Sequence, residues 1–275
     1  MSDLHWQGTI DGCLETDCNW YECAVPSSSD NVIFDTTYGT WVQQASSGSI
    51  CVANVYNCND TIAGGTFCVS SDVCVYSGAY MNGIYNAGTL YVDSGTINSG
   101  TYTLTYALCS YNSNSLICDG TFITPAANYD GCINCGTFCV DYFCVCSSLA
   151  VNDGVFCIAN TWVMSASSTC VAGGCFYSPI EMNGGTNTTF TGGTFYSTVV
   201  DCGNICGGTY YGLVTLPDSY GLIAGGTFYK VDLQGTECCS SWCGAYSGLT
   251  QLKIDSSITF TKEKGINGSG ILGLI

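Results

Sequence analysis

The chain has 275 residues, with 21 acidic residues against four lysines and no arginine, and a formal net charge of −17. Because it has so few cations to neutralise phosphates, we predict that it binds neither nucleic acid nor an anionic membrane surface. Gly, Asn, Ser and Thr interrupt every apolar run before it reaches the roughly 20 residues that span a bilayer.

Cysteine is the most unusual feature of the composition, with 22 residues in the chain. This content is typical of disulfide-rich extracellular proteins, although the connectivity cannot be read from sequence. The first residues, however, have neither the cationic nor the apolar region of a secretion signal. Three explanations remain: a virus protein that is oxidised after host lysis, thiols packed as small hydrophobes, or a leader that has been removed.

Residues 1–45 are predicted to form an N-terminal cap. They contain Trp6, the pair Asn19-Trp20 and the segment Val25–Asp35. A repeat protein needs such caps because its terminal coils otherwise expose unpaired strand edges.

Residues 46–250 contain a repeated Gly-Thr-aromatic element, which is followed by β-favouring residues. The clear copies begin at Gly65, Gly100, Gly120, Gly136, Gly193, Gly208 and Gly226, and the degenerate ones at Gly88, Gly154 and Gly174. Successive copies are 12 to 23 residues apart, mostly 15 to 20. This spacing is that of one coil of a β-solenoid, since no helical pattern is present. The sequence therefore predicts an all-β fold: a β-solenoid of ~15–20-residue coils with capped ends.

The pattern does not settle which face of each strand points inward. Lys230 shares parity with Phe228, which places Thr227 inward, whereas Asp141 shares parity with Thr137, which argues the reverse. Both faces are therefore largely apolar, and such strands are covered on both faces or present a patch to a partner. This favours lateral association, most simply a homotrimer; the alternative is a monomer with exposed aromatic ladders.

The cysteines suggest a ladder along the coils. Cys68, Cys139 and Cys157 each follow the aromatic residue of a copy. Equivalent residues of adjacent coils lie about 4.8 Å apart, within the Cα separation of a disulfide. Cys132 and Cys135 have the spacing of a zinc half-site. We favour a cysteine column, paired or simply packed, over zinc, and we expect no cofactor.

Catalytic groups are scarce. The only histidine is His5, in the predicted cap. A polysaccharide-cleaving β-helix would need paired carboxylates, and the candidates are Asp141, Asp153, Glu181, Asp201 and Asp218. They form no local motif and are scattered as turn residues are, so we predict no enzymatic activity. An ice-binding solenoid is a further alternative because of the threonines Thr66, Thr121, Thr137, Thr194, Thr209 and Thr227.

Residues 251–275 are predicted to be a C-terminal cap and docking tail, and they end in KGINGSGILGLI. The docking residues are Gly265, Ile266, Asn267, Ile271, Leu272, Leu274 and Ile275.

The two ends together resemble a known family. Trp6 and Gly8, Asn19-Trp20 and Val25–Asp35 are similar to the opening of phage-encoded β-helical structural proteins, and Gly265–Ile275 is similar to their shared tail. The resemblance implies a virion protein, either a capsid decoration or a fibre, that binds other capsid or tail proteins. It would be assembled in the host cytoplasm, lie on the virion surface and become extracellular after lysis. The alternative is a tail-fibre or tailspike-like protein that binds a receptor or polysaccharide, or an adhesin.

Overall fold

The computed structural model describes residues 2–35, 45–160, 162–164, 168–182, 188–200, 203–216, 222–223, 226–233 and 251–254. The chain divides into two compact units, Met1–Phe143 and Cys144–Ile275. In the described residues the regular structure is β-strand, apart from one 3-10 turn at Asp17–Asn19. No helix among them is long and apolar enough to cross a membrane. The predicted all-β solenoid is confirmed, since parallel strands stack coil on coil.

The first unit is built from short parallel strands. They are β1 (Asp3–His5), β2 (Asn31–Phe34), β3 (Ser49–Val52), β4 (Asn54–Asn57), β5 (Thr61–Ile62), β6 (Thr66–Val69), β7 (Asp72–Val75), β8 (Tyr80–Met81), β9 (Ile84–Val92), β10 (Thr96–Ile97), β11 (Thr101–Ser110), β12 (Leu116–Ile117), β13 (Thr121–Tyr129), β14 (Gly131–Ile133) and β15 (Thr137–Val145), which ends just beyond the unit.

The second unit has the same kind of strands. They are β16 (Ser148–Val151), β17 (Val155–Ile158), β18 (Trp162–Met164), β19 (Ser168–Val171), β20 (Cys175–Phe176), β21 (Ile180–Met182), β22 (Thr188–Phe190), β23 (Thr194–Phe195), β24 (Val199–Val200), β25 (Asn204–Ile205), β26 (Thr209–Leu216), β27 (Leu222–Ile223), β28 (Thr227–Leu233) and β29 (Gln251–Ile254).

A glycine corner joins each coil to the next. The backbone N–H of Thr101 donates to the carbonyl of Gly83 at 2.9 Å, and that of Thr121 donates to Gly100 at 2.8 Å. Gly100 has φ +132°, and a Cβ added there would lie 2.4 Å from the carbonyl oxygen of Gly83. Only glycine fits, because it tolerates positive φ and leaves room for the neighbouring coil.

The residue two positions after each glycine points inward and forms an aromatic ladder. In the first unit Phe67, Tyr85, Tyr102, Phe122 and Phe138 stack with ring centroids 4.6 to 5.3 Å apart and planes within 8° of parallel. All five rings are buried. Because the parallel strands are in register, an aromatic ring of one coil lies on an aromatic ring of the next. Each stacked pair stabilises the fold by about 0.5–1.5 kcal/mol beyond the effect of its buried area.

The second unit has its own inner ladder. Phe156, Phe176, Phe195, Tyr210 and Phe228 stack at 4.6 to 4.9 Å.

Where a ladder ring is a tyrosine, as at Tyr102 and Tyr210, its hydroxyl donates a hydrogen bond to a backbone carbonyl at the corner. Tyr102 donates its hydroxyl to the carbonyl of Ser99 at 2.9 Å, and Tyr210 donates to that of Gly207 at 3.2 Å. Each acceptor lies three residues before the ring, at the corner. A buried hydroxyl thereby obtains its partner without disturbing the stack.

Aromatic residues of the N-terminal segment pack at the first end of the first unit's ladder. The ring centroids of Trp6 and Trp20 are 5.1 Å apart, and Phe34 lies within 5.9 Å of both and 6.1 Å from Phe67. The indole N–H of Trp20 donates to the carbonyl of Leu14 at 3.0 Å.

The phase of one predicted repeat is wrong. Gly88 does not begin a coil, since it lies within β9, where its N–H donates to the carbonyl of Ser71. The corner glycine is Gly83, and the inward ring is Tyr85, which stacks between Phe67 and Tyr102. This copy has isoleucine in place of threonine, and the glycine-threonine pair Gly88-Thr89 lies five residues further along the chain, so the sequence favoured the wrong glycine.

The structure resolves the conflict over facing. Thr137, Cys139 and Asp141 point outward, as the second parity argument predicts, while Phe138 and Val140 are buried. The placement of Thr227 inward is wrong, because Phe228 is the buried residue. Strict alternation does not assign the inward face correctly, because the alternation of buried and exposed residues shifts by one position within a long strand. Val140 and Phe143 are both buried, with two consecutive exposed residues between them.

Candidate functional site

The outward position that follows the inner ring carries different side chains in successive coils. In the first unit the residues in register at this position include Cys51, Cys68, Asn86, Thr103 and Ile123. The rings beside them are buried, whereas these side chains are exposed or partly exposed. The side chains of this column therefore contribute to the surface of the first unit.

Cys68 lies beside a cysteine that the sequence analysis missed. β3 pairs with β6 so that Cys51 is directly opposite Cys68. The neighbouring Cys68 thiol raises the pKa of Cys51 above its ordinary value. The signal available in the sequence was Gly48-Ser49-Ile50-Cys51, which has the corner glycine but neither the threonine nor the aromatic residue.

The other predicted members of the ladder are not neighbours of Cys68. Cys139 is exposed on β15, and the three register positions after Cys68 are Asn86, Thr103 and Ile123, so the structure does not bring Cys68 and Cys139 together. Cys157 is exposed on β17 of the second unit. Within the first unit, therefore, no continuous cysteine ladder runs along this column.

Cys132 and Cys135, which the sequence assigns to the cysteine column, lie in different local structures. Cys132 lies on β14 opposite Leu116, and burial, together with the nearby Cys118, raises its pKa. Cys135 is exposed in the turn before Gly136. Among the described residues no group of three or more His, Cys, Asp or Glu side chains is arranged to hold a metal. No two cysteine sulfurs in the described part of the chain are at disulfide-bonding distance. Cys238, Cys239 and Cys243 lie outside it.

A ladder of exposed tyrosines occupies the same outward position in the second unit. Tyr177, Tyr196, Tyr211 and Tyr229 stack with centroids 4.7, 5.3 and 4.7 Å apart. Tyr177 is 52% exposed, Tyr196 46% and Tyr211 43%. Because neighbouring rings cover each other's faces, this tyrosine ladder presents ring edges and hydroxyls to solvent. The aromatic doublets Phe176-Tyr177, Phe195-Tyr196, Tyr210-Tyr211 and Phe228-Tyr229 were its signal in the sequence.

The threonines that suggest the ice-binding alternative do not form one continuous column along the coils. In the second unit Thr194, Thr209 and Thr227 are in register. In the first unit Ile84 stands between Thr66 and Thr101.

The candidate carboxylates that the structure describes are exposed, and one of them accepts a backbone hydrogen bond at a glycine corner. Asp141, Asp153 and Glu181 are exposed, and Asp201 and Asp218 lie outside the described residues. A carboxylate oxygen of Asp153 accepts the N–H of Gly154 at 2.8 Å, as Asp119 does for Gly120 at 2.7 Å. These two aspartates therefore cap glycine corners.

Two titratable groups have unusual surroundings. His5 contacts Glu22 at 2.8 Å in the N-terminal segment. Burial raises the pKa of Asp60, and one of its carboxylate oxygens is buried with no hydrogen-bond partner among the described residues.

The predicted docking residues, Gly265 to Ile275, lie outside the described residues. No family model, no curated protein and no solved structure matches this chain.

Proposed function

We propose that this protein is a non-enzymatic structural component of a bacteriophage particle, a capsid decoration or a fibre. The observation that carries the proposal is the pair of inner aromatic ladders, whose rings stack 4.6 to 5.3 Å apart in the first unit and 4.6 to 4.9 Å apart in the second. Such packing suits a stiff structural element, since each coil is stabilised by its neighbours. The similarity of residues 6–35 and 265–275 to phage β-helical proteins supplies the identity of the particle.

The outward faces support self-association. Large apolar side chains are exposed in the first unit, including Tyr106 at 67%, Tyr111 at 69% and Ile123 at 46%. A homotrimer would cover such side chains. Because each copy carries a net charge of −17, the copies repel each other, and association strengthens as salt rises from about 0.1 M to about 1 M and the Debye length falls from about 10 to about 3 Å.

Native mass spectrometry and sedimentation velocity test the oligomer. A mass near three times 28.9 kDa supports the trimer. A monomer at every salt concentration would exclude it and leave the exposed side chains as a monomer surface.

Co-sedimentation with undecorated phage capsids tests the function. The full chain is expected to pellet with capsids and not with intact host cells. A chain lacking residues 265–275 is expected to remain in the supernatant, whereas a chain with these residues replaced by a Gly-Ser sequence of equal length controls for tail length. Full binding by the shortened chain would eliminate the docking tail, and failure of the full chain to bind any capsid would overturn the proposal.

A second candidate function is receptor or polysaccharide binding at the tip of a tail fibre, and the tyrosine ladder favours it. A row of hydroxyls about one coil apart offers hydrogen bonds to a sugar chain, while the aromatic edges provide apolar contact. Pelleting with host cells, abolished by Tyr196→Ala and unaffected by Tyr106→Ala, would support this function over decoration.

A further inference from the structure

Cys51 and Cys68 form a thiol pair on the surface of the first unit. They lie directly opposite each other on the parallel strands β3 and β6. Both alternate with buried neighbours, so both point outward; Cys51 is exposed and Cys68 is partly exposed. The parallel register therefore places the two thiols side by side on the same outward face.

The spacing of parallel strands brings this pair close to disulfide geometry. Opposite residues of neighbouring strands have Cα atoms about 4.7–4.9 Å apart, within the roughly 4.4–6.8 Å of disulfides. In a parallel in-register pair the two Cα–Cβ bonds point the same way, so the Cβ atoms are about as far apart as the Cα atoms. A disulfide needs a Cβ separation of about 3.5–4.5 Å. The two Cβ atoms must therefore converge by about 0.2–1.4 Å.

We propose that Cys51 and Cys68 are a modification site, which closes to an intrachain disulfide by exchange with a low-molecular-weight disulfide such as oxidised glutathione. One protein thiol loses its proton, and the thiolate attacks a sulfur of the small disulfide, giving a mixed disulfide and one released small thiolate. The second protein thiol then loses its proton and attacks the protein-bound sulfur of the mixed disulfide, which releases the other small thiolate. Two protein thiols are oxidised and one small disulfide is reduced to two small thiols.

Proximity favours closure over a lasting mixed disulfide. The second thiol is held next to the first, so its attack is intramolecular and outpaces attack by further small molecules. The reaction accelerates as pH rises, because the neighbouring Cys68 raises the pKa of Cys51 above its ordinary value and the thiolate is the attacking form.

Cys170 provides the matched control. It is exposed on β19 of the second unit, and the residues opposite it are Ala150 and Thr189. An exposed thiol with no cysteine in either adjacent register position is expected to stop at the mixed disulfide.

The test is peptide mapping of the purified full chain after reduction, incubation with oxidised glutathione and trapping of remaining thiols with an alkylating agent. Cleavage before Asp60 separates the two cysteines, and cleavage after Tyr56 separates Cys51 from Cys58. The expected product is a linked Cys51–Cys68 peptide, together with a glutathione adduct on Cys170. In the Cys51→Ser variant the linked peptide disappears, and Cys68 carries the glutathione adduct instead.

Two results would overturn the proposal: both thiols alkylated or separately glutathionylated in the wild-type chain, or Cys68 linked to several cysteines without preference for Cys51. Circular dichroism of the serine variant checks that the fold is intact. The experiment uses no phage particle, so its outcome is independent of the proposed function.

Discussion

Removing one ring from the inner ladder is the most direct test of how the first unit is held together. Phe122 is fully buried and stacks on Tyr102 at 5.0 Å and on Phe138 at 4.9 Å. Truncating a buried phenylalanine to alanine costs about 3–5 kcal/mol. Of this, two lost stacking contacts at about 0.5–1.5 kcal/mol each account for about 1–3 kcal/mol. We expect Phe122→Ala to lower the free energy of unfolding of the first unit by about 3–5 kcal/mol.

Urea denaturation followed by circular dichroism measures this loss, and hydrogen exchange assigns it to the coils on either side of Phe122. The matched control is Ile123→Ala. Ile123 is the next residue along the same strand but is 46% exposed, so the expected change is within about 0.5 kcal/mol. Equal effects of the two substitutions, or a cost below about 1 kcal/mol for Phe122→Ala, would refute the idea that the ladder carries the stability of the unit.

Two further predictions concern the corner glycines and the buried tyrosines. Gly100→Ala places a Cβ at φ +132° and 2.4 Å from the carbonyl oxygen of Gly83, so we expect a loss of about 1–3 kcal/mol in denaturation; a loss no larger than that of Ser99→Ala would contradict this. Burial raises the pKa values of Tyr85 and Tyr102 above 10.0, so their contribution to stability is complete below pH 10 and is lost as pH rises further. Thermal melts should show the wild type losing stability above that pH faster than the Tyr85→Phe/Tyr102→Phe variant, and identical pH profiles would exclude the tyrosines as the cause.

The fold was predictable because the repeat specifies both the turn and the strand of each coil. Glycines that permit a turn, each followed by β-favouring residues and repeated at the spacing of one coil, are compatible with few folds other than a β-solenoid. The exact phase was harder to predict. Gly83 was missed because the nearby pair Gly88-Thr89 matches the start of the motif, whereas Gly83 is followed by Ile84. The structure needs only the glycine and the buried ring Tyr85, and the residue between them varies.

The facing of the strands was not predictable from alternation. Alternation assumes a straight strand, whereas the long strands change phase where two consecutive residues point outward, as Asp141 and Tyr142 do. The inward ring itself was the better guide, because a large aromatic side chain stacks in a parallel in-register ladder wherever the coil repeats it.

The surface chemistry was predictable only in part. Cys68 was predictable as a column member, but its partner Cys51 was not, because the coil of Cys51 departs from the motif at two positions. The Cα spacing of adjacent coils meets the disulfide criterion, but the Cβ spacing is more restrictive. The tyrosine ladder was visible as a doublet that follows each corner glycine from Gly174 onward.

The contacts at the glycine corners bear on which substitutions the coils can tolerate. At the described corners the N–H after the glycine donates to a glycine carbonyl of the neighbouring coil, and the ring one residue further on is buried. These contacts use backbone groups and the ring, and not the side chain of the outward residue beside the ring. That residue is therefore cysteine, asparagine, threonine, isoleucine or tyrosine on a scaffold that stays the same. Substitutions at this outward position are therefore expected to change the surface chemistry one coil at a time while the corner hydrogen bonds and the inner ladder are kept.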